Sequence, residues 1–203
     1  MTIYTSFVQL SALPDGFLEL NDNILTEQER FYAAAITDWL QQSEWRCGRI
    51  LLRYLVATAY DVPISDITIH SLSSGQLVAE TPIGQVNVSH SRIPGVWAGA
   101  SARAFPIGLD LVDVTDFPVD VNGDAISADT WATLEALAKV TQRGLDWALT
   151  ATCYPVEGLL TATSGERYRT AFLNNLPIDV RGVVLGPAEL SWDVMDIDII
   201  CKK

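Results

Sequence analysis

The sequence predicts an α+β protein made of two similar halves related by a pseudo-twofold, each a small sheet packed on a long helix. Three observations carry this expectation. Two long stretches, near residues 27–60 and 128–150, have helical character. Short alternating segments flank each of them, so the order strand, helix, strands occurs twice. Phe105-Pro106 falls between the two, which divides the 203 residues into an N-terminal lobe, 1–106, and a C-terminal lobe, 107–203.

The elements follow in order. TIYTSFVQL at the start alternates as a strand does. Thr26 followed three residues later by Glu29 is a capping box. It opens a helix running to about Tyr60, broken near Ser43 and stopped by Pro63. Ile67–Ile69, Gln76–Ala79, Gln85–Ser89, Val96–Ser101 and Ile107–Val112 read as strands, with turns at Gly75, Gly84 and Pro94-Gly95. An Asp-rich stretch with an Asn122-Gly123 turn leads to a helix over Ala128–Thr150. Val180–Leu185 and Asp196–Cys201 complete the strands.

Composition narrows the function classes. Hydrophobic residues are 49% and charged residues 19%, which suits a folded chain and not a disordered one. Thirteen Lys and Arg against 25 Asp and Glu give a net charge of −12. Nucleic acid and anionic membranes both attract positive charge, so neither is an expected partner. Cys47, Cys153 and Cys201 are widely spaced and form no CxxC, so a reduced, cytoplasmic protein is expected, without disulfide or zinc. No basic, apolar leader and no apolar run of membrane length is present, so no signal peptide or membrane span is expected.

Four places can carry chemistry. Arg46, Arg49 and Arg53 recur at helical spacing on one face. They suit either a phosphate grip or a solvated helix face. In Asn87-Val88-Ser89-His90-Ser91, alternation points the polar odd positions one way and Val88 and His90 the other. Ser89 and His90 therefore cannot form a nucleophile–base pair, and no GxSxG elbow exists. A hydroxyl and an imidazole offered to an anion remain open, as does a structural histidine. Asp110, at the end of an apolar strand, suits a metal ligand or a strand-end cap. Glu135 and Lys139 are i and i+4 on a helix, a surface pair unless something draws them inward. Lys139 is the only lysine before Lys202-Lys203. Residues 120–124 mimic a calcium loop, but the glycine is misplaced and no Glu closes it.

Taken in order, these motifs resemble the 4′-phosphopantetheinyl transferase superfamily, most of all its monomeric two-lobed surfactin-synthetase type. That family carries an Arg-rich helix, a GKP turn, an N-x-S-H-S strand, a G-x-D-x-E strand end and a W-x-x-K-E-x-x-x-K helix. The matches here are Arg49 to Arg53, Gly75, Asn87 to Ser91, Gly108 to Asp110, and Trp131, Glu135 and Lys139. The resemblance covers about residues 45–140. The departures are Gln76 in place of the GKP lysine, Val112 in place of the second acid, and Leu134 in place of the lysine before Glu135.

The resemblance implies transfer of the phosphopantetheine arm of coenzyme A to a serine of an acyl- or peptidyl-carrier protein. It implies Mg²⁺ held by Asp110 and Glu135, with Glu135 and Lys139 catalytic. Arg49, Arg53, Gly75, Ser89 and His90 would hold coenzyme A. The alternative it leaves is a non-catalytic scaffold of the same fold that binds coenzyme A or a carrier.

Overall fold

Alternation in the first eight residues after Met1 produces β1 (Thr2–Gln9), which buries Ile3 and Val8. The structure, a computed structural model, describes residues 1–121, 124–150, 158–162 and 164–199. The expected Asn122-Gly123 turn, Cys153, Cys201 and the last residues of the expected C-terminal strand lie outside the described residues.

A short helix, α1 (Phe17–Asn21), precedes the capping box, which forms as expected and starts α2 (Glu27–Ala34). The long helix breaks earlier than Ser43. Asp38 accepts from the Gln41 backbone N–H and starts α3 (Trp39–Tyr60) afresh. A side-chain cap at Asp38 satisfies a donor that a continuous helix would otherwise pair internally. The middle of α3 buries Ile50, Leu51, Leu52, Leu55 and Val56 completely. Each such side chain contributes on the order of 1.5–3 kcal/mol.

Five strands follow: β2 (Thr68–Ser71), β3 (Leu77–Thr81), β4 (Gly84–Ile93), β5 (Val96–Ala102) and β6 (Gly108–Asp113). The small ladder of β7 (Val119–Val121) and β8 (Asp124–Ile126) stands apart. The second helix is two, α4 (Ala128–Thr141) and α5 (Leu145–Thr150). Gln142 and Gly144 take positive φ between them and end the first. The sequence reading missed β9 (Leu159–Thr161) and β10 (Arg167–Phe172), before β11 (Val180–Pro187) and β12 (Asp193–Asp196). In β10, RYRTAF, every residue is partly or fully exposed, so no apolar alternation marked it.

The α+β class is as expected. The two sheets differ in size, six strands in the order β12-β1-β5-β4-β3-β2 and four in the order β6-β11-β10-β9. The chain does not part cleanly near residue 106. β12 crosses back to pair parallel with β1, and Ile199 enters the core under α3. Three apolar clusters separate four layers. One lies between α3 and the larger sheet, one between the sheets, and one between the smaller sheet and α4. No helix among the described residues is long and apolar enough to cross a membrane.

One polar contact crosses the first core. Arg53, fully buried, places its guanidinium on both Glu29 carboxylate oxygens at 2.6 and 3.1 Å, and on the Ile67 carbonyl at 3.2 Å. Glu29→Ala leaves that cation buried and unpaired. Urea unfolding is expected to show a loss of about 3–5 kcal/mol, much of it regained in the apolar pair Glu29→Leu with Arg53→Met.

Candidate functional site

The site forms where β4 and β6, from different sheets, meet α4. Gly108 makes this possible. A methyl at its Cα would stand 2.0 Å from the Ala136 carbonyl oxygen and 2.8 Å from the Val140 nitrogen. Only a glycine lets the α4 backbone lie this close to β6. The approach brings Glu135 and Lys139 over the strand end that carries Asp110.

Alternation on β6 sends Leu109 and Leu111 into the core between the sheets, while Val112 packs towards α4. Asp110 shares that second face and is 6% exposed. Its Oδ1 accepts from Lys139 Nζ at 2.7 Å and from the Ser91 hydroxyl at 2.8 Å. Lys139 also donates to the backbone carbonyls of Leu109, at 3.0 Å, and His90, at 3.4 Å. The lysine thus reaches past its helical neighbour to a carboxylate 29 residues earlier in the chain.

Glu135 is half-buried, and its carboxylate accepts no hydrogen bond among the described residues. Burial pushes its pKa above the usual carboxylate range, the Asp110 charge adds to the rise, and Lys139 opposes it. The Asp110 charge therefore acts on Glu135 across the space between β6 and α4.

The β4 motif divides as alternation predicts. Ser89 and Ser91 face β6: Ser89 Oγ accepts from the Leu109 N–H at 3.0 Å, and Ser91 holds Asp110. His90 faces the other way, against α3, and stacks on Trp97 with centroids 6.4 Å apart. Burial is the largest cause pulling its pKa down, to about 3, followed by the charges of Lys139, Arg49 and Arg92.

A cavity of about 170 Å³ opens here, lined by Gly75, Gln76, Ser89, His90, Lys139 and Gln142 among others. Gly75, at φ +90°, turns the β2–β3 connection towards it. A depression of about 350 Å³ shares Gly75, Lys139 and Gln142 and continues the cavity along α4. A larger depression, about 530 Å³, lies by β1 and β12 and holds none of the residues singled out from sequence.

So Gly75, Ser89, His90, Asp110, Glu135 and Lys139 assemble in one region. Arg49 stands nearby: its charge reaches His90, its guanidinium lies over the Trp45 ring, and burial lowers its pKa. Arg46 is drawn to Asp22 at 2.6 Å. Arg53 does not join the group, because Glu29 and backbone carbonyls engage its guanidinium. Sequence reasoning overlooked Ser91 as the partner of Asp110. Its signal was present, since Ser91 shares a strand face with Ser89. Gln142 was overlooked too, and nothing before the helix end marked it.

The donor set suits a hard cation of the Mg²⁺ kind in a minimal form. Asp110 lies close enough for its charge to act on Glu135, and such an ion often takes only one or two carboxylates with phosphate oxygens and water completing its shell. No group of three or more His, Cys, Asp or Glu forms among the described residues. At position 112 the side chain is apolar and 6% exposed, so no third acid is offered there.

Two outcomes test this geometry. Gly108→Ala forces α4 away from β6. It is expected to cost about 3 kcal/mol in denaturant unfolding and to break the Lys139–Asp110 pair, seen as loss of the slowed Lys139 ammonium exchange in NMR. Glu135, with its pKa raised by folding, favours the folded state while protonated, and that benefit is lost as pH rises through its folded pKa. Glu135→Gln is therefore expected to raise the melting temperature at pH 7 and to leave it unchanged near pH 3, where both side chains are neutral. No family model matches this chain, and no curated protein matches it, so its function rests on the site described above.

Proposed function

We propose that this chain moves the 4′-phosphopantetheine arm of coenzyme A onto a serine hydroxyl of an acyl- or peptidyl-carrier protein. One observation carries the reading. Gly75, Ser89, His90 and Lys139 come from distant segments and line one cavity, with Asp110 bonded to Lys139 at 2.7 Å. The resemblance in sequence requires those segments to meet; a chance set of matches does not. The same reading takes the two lobes as a pseudo-twofold pair with the site at their junction.

The chemistry follows from phosphoryl transfer, in which positioning and charge neutralisation dominate. The serine oxygen bonds to the β-phosphorus of coenzyme A, the bridging P–O bond breaks, and adenosine 3′,5′-bisphosphate leaves. Glu135 accepts the serine proton, directly or through one water; its raised pKa brings it closer to the range of an effective base. Lys139 offsets the charge on the transferring phosphate. Arg49 and His90 hold the phosphates of the coenzyme, Ser89 fixes β4 to β6 beneath them, and the Gly75 backbone lets the ligand approach. Arg53 holds α3 to α2 and touches no ligand in this mechanism. Asp110 and Glu135 would hold Mg²⁺, which supplies Lewis-acid neutralisation of the pyrophosphate.

A second reading keeps the site but not the turnover, a scaffold that binds coenzyme A or a carrier in the cytoplasm. Its support is specific. Gln76, in the place of a cation, is tied to Asn87 at 2.7 Å, and Val112 lies in an apolar cluster. Intact-mass measurement of an apo carrier protein after incubation with coenzyme A and Mg²⁺ separates the two. The expected result is a gain of one phosphopantetheine, reduced about 100-fold or more by Glu135→Gln or Lys139→Met. Calorimetric binding of coenzyme A without that gain selects the scaffold, and absence of both rejects both readings.

A further inference from the structure

Two buried polar atoms near the cavity have no hydrogen-bond partner among the described residues: His90 Nδ1 and Trp97 Nε1. They converge. A methyl built on Gly48 of α3 would lie 3.6 Å from each, and 3.4 Å from the Cε1 atom between the histidine nitrogens. The indole also reaches this place by design of the strand beside it. Gly99 stands opposite His90 in the β4–β5 ladder, and a methyl there would strike the Trp97 ring at 2.4 Å. Gly99 therefore clears the way for Trp97, which meets His90 beside Gly48 of α3.

The chemistry of the two atoms is complementary in one arrangement only. An indole N–H donates and cannot accept. Imidazole Nδ1 can accept only if its proton sits on Nε2. Buried donors and acceptors left unmatched are costly, and the two atoms are not bonded directly, so one small bridging water would satisfy both. His90 also lines the cavity.

We propose that Trp97, across the space beside Gly48, holds His90 as its Nε2–H tautomer, so that the ring offers an uncharged N–H donor to a phosphate in the cavity. Trp97 is a positioning residue that acts through His90. Burial above all, and then the charges of Lys139 on α4, Arg49 on α3 and Arg92 on β4, disfavour a protonated ring. A neutral donor adds a hydrogen bond to the anion without adding a fourth repelling cation. The anion-binding part of this inference rests on the functional reading above; the tautomer does not.

The test begins with the ligand-free protein carrying ¹⁵N-labelled histidine. From about pH 5 to 8, the range in which an ordinary histidine titrates, His90 is expected to show an unprotonated Nδ1 and a protonated Nε2 throughout. Trp97→Phe keeps the ring but loses the N–H; it is expected to give a mixture of tautomers and coenzyme A binding weakened about tenfold. Gly48→Ala, which fills the bridging space, is expected to act in the same direction. A protonated Nδ1 in the unsubstituted protein would overturn the inference, and so would an unchanged tautomer in folded Trp97→Phe. Failure of the unsubstituted protein to bind coenzyme A, with Nε2–H intact, would remove the functional reading and leave the tautomer in place.

Discussion

The contact between the α4 backbone and β6 at Gly108 is the constraint on which the rest of the site depends. With a side chain at that position, α4 would have to stand off by more than an ångström, since the methyl would lie 2.0 Å from a carbonyl oxygen. Lys139 would then lose its three oxygen partners together, because Asp110 and the carbonyls of Leu109 and His90 are reached only from this height. The same strand is held from its other side by Ser89 on the Leu109 N–H and Ser91 on Asp110. Two sheets and one helix are thus pinned around a single carboxylate. The hydroxyls and the ammonium answer a buried acid that would otherwise be expensive to fold.

Charge is managed locally in a chain whose net charge is −12. The larger anionic field works against anionic ligands and carriers. Near the cavity three cations gather, and the charges of Lys139, Arg49 and Arg92 all act on His90. The arginine row on α3 is divided among distinct tasks that its helical spacing does not reveal. Arg46 goes to Asp22, Arg49 lies over Trp45 with one donor on the Ile69 carbonyl, and Arg53 is buried against Glu29. Three residues on one helix face therefore meet three environments. Burial deepens along the helix from its exposed start at Trp39 to its enclosed middle.

Local physics made part of this protein legible in the chain alone. The capping box at Thr26, the alternation of β1 and β4, and the opposed faces of Ser89 and His90 each depend on neighbours within a few residues. So does the i, i+4 pairing of Glu135 and Lys139 on one helix. Such features are encoded by spacing, and spacing survives in a one-dimensional record. The α+β class followed from it, as did the interest of Ser89, His90, Glu135 and Lys139, while the family resemblance added Gly75.

The tertiary structure decided what spacing cannot express. The break at Asp38 replaced the one expected near Ser43 because a side-chain cap there competes with helix continuation. β10 escaped notice because its residues stay partly exposed, and β12 left its own half because β1 offered an unpaired edge. Lys139 chose Asp110 over Glu135, and Arg53 chose Glu29 over a ligand, because each cation goes to the carboxylate that burial leaves in greatest need of a partner. A sequence states which groups exist and which of them share a face. Which groups meet across the core depends on how closely the layers approach, and here a single missing side chain at Gly108 sets that distance.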